Sequence, residues 1–317
     1  MSGMLKRLSV WALAWRRSAR RSGIEMPADN NQTQEQTLLA VLDRATPLHA
    51  LAALEYSLST SATSVSALSL NETAVALDTN VLLKLASHQK SAEVSDYLSG
   101  RHGAPLVLPG QVIQEFWNNH VGSLMTVATQ VDKKLVDLEK LIGDLDPHSQ
   151  LASAVDSIRE KLRTDYNFLY DAGLVSKTKS MLSSLGVRAI VPFARRSTFV
   201  ATAELRKRTK TPPGFRDDGH GDFYVWVDLL TGLQQARAAG STFARVAVIT
   251  NDKKPDWVRN GMAHPILSSE VQSLFNVPLE IWELDRLVEE VGRALTVTTT
   301  DHAVDAPAEA ANDPGQE

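Results

Sequence analysis

Asp78, Glu115, Asp222 and Asp252 are the residues of this chain whose type and placement best suit chemistry. Carboxylates brought to one place repel one another and repel phosphate, so a cluster of them points to a bound cation. Mg²⁺ is a hard ion that takes oxygen ligands, keeps several waters and is commonly held by one or two carboxylates together with substrate phosphate oxygens. Such an ion lowers the pKa of water and offsets charge on a leaving oxygen, which is the chemistry of phosphodiester hydrolysis. Each acid also has a structural use when taken alone. Asp78 and Asp252 suit turns or helix N-caps, Asp222 complements a helix dipole at its first turn, and Glu115 suits a solvated helix flank. Their conjunction favours the metal.

These acids need elements to carry them. Thr73 to Leu77 is a short apolar run of buried-strand type, followed by Asp78-Thr79-Asn80 and the helical spacing Val81, Leu82, Leu85, so Asp78 sits at a strand's carboxyl end. A second run, Ala244 to Ile249, stops at Thr250-Asn251-Asp252-Lys253-Lys254-Pro255, a turn-forming stretch that puts Asp252 just past another strand. Ligands of open α/β sheets bind at that edge. The other two acids fall on helices. From Gln111 to Val121 the apolar arc Val112, Ile113, Phe116, Trp117 leaves Glu115 just outside it, at a boundary from which a carboxylate can face a cleft. In a helix starting near Gly221 the inward stripe Trp226, Leu229, Leu230, Leu233 shares its face with Asp222, and an acid on a buried stripe needs a partner.

The stretches Val75 to Leu83, Leu108 to Phe116, Pro212 to Asp218 with Gly221-Asp222, and Val248 to Trp257 resemble those of the PIN-domain nucleases, in their larger PIN-like branch with a helical insertion. The resemblance covers roughly residues 73 to 290, with its motifs in the expected order. It implies a three-layer α/β/α fold with a twisted, mostly parallel central sheet and an inserted helical arm. It also implies a metal-dependent nuclease whose acids bind Mg²⁺ or Mn²⁺. Carried over by position, Asp78, Glu115, Asp222 and Asp252 are the catalytic, metal-holding acids, and Asp217 is the auxiliary metal acid of the Pro-Pro-Gly loop. Thr79, Asn80 and Thr250 are orienting groups. Asn251 stands where many relatives carry a second acid, which leaves open whether one ion or two is held.

A phosphodiester also requires positive charge beside the acids. Between residues 195 and 216 the chain carries Arg195, Arg196, Arg206, Lys207, Arg208, Lys210 and Arg216 against the single acid Glu204. Arg206, Arg208, Lys210 and Arg216 are therefore expected to contact substrate, as are Lys253 and Lys254 beside Asp252, together with Thr79, Asn80, Thr250 and Asn251. Phosphate contacts of this kind release counterions, so binding should weaken with salt. An ordinary solvated helix face is the alternative.

Composition narrows the class. With 317 residues, 43% hydrophobic residues and a net charge of -4, the chain suits one large domain whose nucleic-acid affinity comes from local patches. It has no cysteine, which removes disulfides and thiolate zinc sites, and its histidines show no paired ligand spacing. There is no Walker-type phosphate loop, and Gly219-His220-Gly221 lacks the third glycine and preceding strand of a dinucleotide fingerprint. A phosphatase using a phosphoryl-aspartate would carry its general acid two residues after Asp78, where Asn80 stands.

The expected organisation is a flexible basic and polar segment over 1–36, a helical leader over 37–70, the nuclease domain over 71–296 with its helical insertion at about 124–209, and an acidic disordered tail over 297–317. Leu5, Leu8, Trp11 and Trp15 have near-helical spacing within the basic stretch Leu5 to Arg21, which suits an amphipathic interaction helix. Arg16, Arg17, Arg20 and Arg21 follow that apolar patch, opposite to a secretory signal, although an organellar presequence keeps this pattern. A cytoplasmic enzyme acting on nucleic acid, RNA in the first instance, is the favoured reading, with a protein regulator left open. The alternatives are a DNA nuclease of the same fold and a non-catalytic RNA- or protein-binding module.

Overall fold

The computed structural model describes residues 28–59, 68–145, 151–165 and 172–304. The stretch Leu5 to Arg21 and the end of the chain beyond residue 304 lie outside the described residues. Thr73–Leu77 (β1), Leu106–Val107 (β2) and Arg245–Ile249 (β3) are buried along their whole length. Unbroken apolar runs of this kind fit strands covered on both faces. A two-stranded antiparallel hairpin follows, β4 (Val258–Arg259) and β5 (Met262–Ala263), and then β6 (Leu279–Trp282). The central sheet has the order β2-β1-β3-β6 and is parallel throughout, so the expected mostly parallel α/β sheet is found in an all-parallel form. The chain leaves β1 for β2 on one side, then crosses back to place β3 and β6 on the other. The carboxyl ends of β1 and β3 thus flank the topological switch point, where a crevice opens in such sheets.

The helices are α1 (Ala28–Leu42), α2 (Ala50–Ser59), α3 (Thr79–Ser87), α4 (Ser91–Asp96), α5 (Gly110–Leu145), α6 (Leu151–Asp165), α7 (Ala172–Leu185), α8 (Arg196–Arg208), α9 (Gly221–Ala238), α10 (Pro265–Phe275) and α11 (Leu284–Val304). They form two mutually packed groups flanking the sheet, α3, α4, α7 and α11 in one and α1, α2, α8, α9 and α10 in the other. α5 begins between the groups, touching α3 and α9. The polar run Ala28 to Gln36, expected to be flexible, is the first half of α1, because Leu38, Val41 and Leu42 bury against the core and anchor the whole helix. The last helix likewise runs to Val304, past the boundary placed at 296.

The insertion divides into two parts. The distal half of α5 and α6 pack on each other as an antiparallel pair, joined by Arg159 to Glu139 (2.9 Å) and Arg163 to Asp132 (3.8 Å). α7 and α8 return to the body, burying Met181 and Leu185, and Phe199 and Ala203. A pair of helices has one seam only. Val155 is buried, while Leu138, Leu141 and Ile158 are exposed. Trp117, expected on the inward arc of its helix, is 71% exposed for a related reason: α5 touches the body chiefly through its first turns, where Val112 is fully covered.

Arg206, expected to contact substrate, is instead a core residue only 3% exposed. Its guanidinium pairs with the fully buried Glu270 on α10 at 2.7 Å and donates to the carbonyls of Leu42 and Pro212. Trp226 of α9 donates to the same carboxylate at 2.7 Å. One ion pair thus fastens α8, α9, α10, the end of α1 and the Pro212-Pro213-Gly214 loop. A buried charge is tolerated only when fully paired, and removing one partner of such a pair strands the other. Arg206→Met is expected to lower the unfolding free energy by about 3–5 kcal/mol, and adding Glu270→Leu to recover most of that loss, as read from urea denaturation of the two variants.

Candidate active site

Parallel register brings Asp78 beside Thr250. Leu77 of β1 is level with Ile249 of β3, so Asp78 and Thr250 are the next residues on neighbouring strands. Thr250 donates its hydroxyl to Asp78 Oδ2 at 2.7 Å, and Asn80 Nδ2 reaches the same oxygen at 2.6 Å. Asp78 Oδ1 caps α3 by accepting from the Thr79 amide at 2.6 Å. Beneath lies an apolar hollow lined by Leu77, Val225, Leu229, Val248 and Trp257. Burial there pushes the Asp78 carboxyl above the usual range, against the hydrogen bonds from Thr250 and Thr79, and the charges of Glu115 and Asp252 add to the rise.

Glu115 reaches the group from the second turn of α5. Its Oε2 accepts from the Thr79 hydroxyl at 3.2 Å and its Oε1 from Gln111 Nε2 at 3.0 Å, so Thr79 ties Glu115 to Asp78. The start of α5 is itself fixed from α9. Buried Asp228 accepts from the Gln111 and Ala194 amides, both at 2.8 Å, and takes a two-pronged contact from Arg196 at 2.7 and 2.9 Å. A side chain on Gly221 would place its Cβ 2.7 Å from Glu115 Oε1, so the carboxylate would have to swing from its present place.

Asp222 follows at once, and its Oδ2 accepts from Trp257 Nε1 at 3.0 Å. Gly214, at φ +79°, lies against it: a Cβ there would meet Asp222 Cβ at 2.8 Å. The Gly214 amide donates to the fully buried Asp256 at 2.9 Å, which holds the Pro-Pro-Gly loop down. Sequence reasoning assigned no role to Gln111, Asp228, Asp256 or Trp257. Asp256 and Trp257 stood inside a recognised motif, but nothing in their spacing revealed the contacts.

Lys254 departs most from expectation. Expected to meet phosphate, its ammonium instead lies among the acids, 2.9 and 3.0 Å from the two Asp217 oxygens, 3.5 Å from Asp222 and 3.2 Å from Asp252. Its amide also donates to Asp252 Oδ1 at 2.9 Å. Burial would lower the lysine's pKa, but these carboxylates outweigh it and hold the ammonium above the usual range. Burial would likewise raise Asp217, but Lys254 keeps that carboxyl below its ordinary value. Asp222 is pushed up to about 7, chiefly by burial, with the neighbouring Asp217 adding to the rise.

Asn80 and Asn251 complete the crevice, the Asn251 amide donating to Asn80 Oδ1 at 2.9 Å. Lys253 is exposed and pairs with Glu283 at 3.0 Å. Of the basic stretch, Arg195 pairs with Glu35 (3.6 Å), Arg196 and Arg206 serve the interior, and Lys207 donates to the Asp218 carbonyl (2.5 Å). Arg208, Lys210 and Arg216 remain exposed. Part of the one-sided charge is thus spent on structure.

The donors are hard oxygens, the class suited to Mg²⁺ or Mn²⁺. Asp78 and Asp222 are both destabilised in their charged forms, a condition that a cation relieves. Among the described residues no group of three or more His, Asp or Glu side chains is placed to hold a metal ion, and no helix is long and apolar enough to cross a membrane.

The family model described as a PIN like domain matches residues 74–270. No curated protein and no solved structure gives a significant match.

A raised pKa has a definite sign in stability. Because Asp222 titrates near 7 in the folded chain and near 3.8 when unfolded, the fold holds a proton in that window that the unfolded chain releases. The stability contributed by its protonated form is complete below the window and is lost as pH rises through it. In metal-free protein, wild-type unfolding free energy measured against Asp222→Asn should decline between these pH values, by up to about 1.4 kcal/mol per pH unit. Urea denaturation of both proteins across that range checks it.

Proposed function

The chain belongs to the PIN-like domain family, and from that premise we propose that it is a divalent-metal-dependent endoribonuclease using Mg²⁺ or Mn²⁺. The observation that carries this reading is the meeting of Asp78, Glu115, Asp217, Asp222 and Asp252 at the switch point of a parallel sheet, each held by donors that fix its direction.

In this reading Asp78, Glu115, Asp222 and Asp252 are the principal ligand-bearing acids and Asp217 is auxiliary. A divalent ion held by them supplies a Lewis acid that lowers the pKa of water and screens the charge of the scissile phosphate. The protein supplies alignment. Thr250 and Asn80 present Asp78 from one side and the α3 amide from the other, Thr79 and Gln111 set Glu115, and Trp257 sets Asp222. Groups that orient ligands in this way contribute about 10–100-fold to metal affinity or activity. Exposed Arg208, Lys210, Arg216 and Lys253 offer the phosphate backbone its positive charge, with Asn251 at the crevice edge. The setting we assign is the cytoplasm.

The full-length protein is expected to cleave RNA with Mg²⁺ or Mn²⁺ and to stop when the metal is chelated. Asp78→Asn should keep the fold and RNA binding but lose cleavage, and Thr250→Val should lower the rate about 10–100-fold. Gel assays on matched RNA and DNA strands measure both. Cleavage that persists under chelation defeats the mechanism, and cutting of the DNA strand alone defeats the substrate assignment.

A further inference from the structure

Two large aromatic rings stand in water beside the crevice: Phe193 is 63% exposed and Trp117 71%. The segment that carries Phe193 extends the sheet past β2. Val107 makes a parallel bridge with Ile190, the Leu108 amide donates to the Ile190 carbonyl, and the Gly110 amide donates to the Pro192 carbonyl, both at 2.9 Å. Ala76 of β1 is level with Val107, so two residues further on Asp78 is level with Pro192. Phe193 therefore emerges at the same carboxyl edge as Asp78, two strand spacings or about 10 Å to the side. Its ring lies over Gly110, where a Cβ would run into it. Gly110 and Trp117 are seven residues apart on α5, so they share a helix face and stand about 10 Å apart along its axis. That helix thus presents Glu115 to the crevice on one side and the two rings to solvent on another.

We propose that Phe193 and Trp117 are a base-stacking subsite, which takes unpaired nucleobases of the strand whose phosphate enters the crevice. The inference rests on the nuclease reading above and adds to it a place for the bases. Every nucleobase has a π-face, and stacking on aromatic side chains tolerates any base sequence. The surroundings suit a nucleic acid better than an apolar protein partner. Residues 110, 114, 117 and 118 fall on one helix face, so Gln114 and Asn118, both exposed, bring carboxamides beside the rings. Arg195, two residues after Phe193, has a side chain 69% exposed. Glu115 is the single acid between Gly110 and Asn119, and it points into the crevice. The rings are also held in register with the acids. Asp228 accepts from the Ala194 amide, next to Phe193, and from the Gln111 amide, at the start of the helix that carries Glu115, both at 2.8 Å. One buried carboxylate thus fixes platform and crevice relative to each other, which leaves less ordering to be done on binding. The 10 Å between the rings corresponds to about three stacked nucleotide steps of ~3.4 Å.

The full-length Asp78→Asn protein, which in the reading above binds RNA without cutting it, is titrated with a labelled single-stranded RNA of about 12 nucleotides and with the same strand made abasic, followed by fluorescence anisotropy. In that background Phe193→Ala and Trp117→Ala are each expected to weaken binding of the base-bearing strand at least about 5-fold. Both should leave the abasic strand unaffected, and Phe193→Tyr and Trp117→Phe should keep the parental affinity. Alanine variants that bind the base-bearing strand as the parent does, or that weaken both strands equally, overturn the inference and leave the nuclease reading standing as long as the wild type cleaves RNA. A wild type that neither binds nor cleaves RNA defeats both. A parent that sediments as a dimer, which Trp117→Ala dissociates with RNA binding unchanged, assigns this face to a second copy of the chain and also overturns the inference. If an alanine variant loses its circular dichroism, Phe193→Leu and Trp117→Leu, which keep apolar bulk without a π-face, decide in its place.

Discussion

Like charges forced together at the ends of parallel strands are the constraint on which this structure turns. Asp78 and Asp222 are each less stable as anions than they would be in water, because burial removes solvent and neighbouring acids add repulsion. The fold holds them there by surrounding each with donors that are themselves locked: a hydroxyl on the adjacent strand, a helix amide, an indole on the following turn. Electrostatic crowding of this kind costs stability and persists only where the surrounding packing over-determines it.

That packing depends on a second set of charges, paired with one another behind the crevice. Arg206 with Glu270, and Arg196 with Asp228, join helices that are distant in sequence to the loops on which the site is mounted. Asp228 fixes the entrance of α5 and hence the place from which Glu115 reaches in. Arg206 fixes the Pro-Pro-Gly loop through Pro212, and Asp256 fixes it through Gly214. The two glycines at closest approach, Gly214 and Gly221, lie where any Cβ would push Asp222 or Glu115 aside. The crevice is therefore supported by interior ion pairs at least as much as by the sheet.

The long helix α5 joins two environments. Its first turns belong to the crevice through Gln111 and Glu115, and its distal half forms the hairpin with α6, held by Arg159 to Glu139. That hairpin keeps apolar side chains at the surface because two helices cannot enclose all the apolar residues their spacing supplies. The α7 and α8 segments, by contrast, bury Met181, Leu185, Phe199 and Ala203 and complete the layers over the sheet.

Much of the frame was legible in the sequence, because local patterns write it. Continuous apolar runs identify strands covered on both faces, and an acid just past such a run identifies its carboxyl end, so β1, β3, Asp78 and Asp252 follow from neighbouring residues alone. The Trp226, Leu229, Leu230, Leu233 stripe fixes the inward face of α9 in the same way. What the sequence could not decide was the partner of each charge. Arg206 and Arg208 sit two residues apart in one basic run, yet one is buried against Glu270 and the other faces water. Lys254 read as a phosphate contact and became the cation at the centre of three acids. Charge acts through space over a few ångströms, and spatial neighbours such as Asp217 and Lys254, or Arg206 and Glu270, are set by the closing of the tertiary structure and leave no periodicity in the chain.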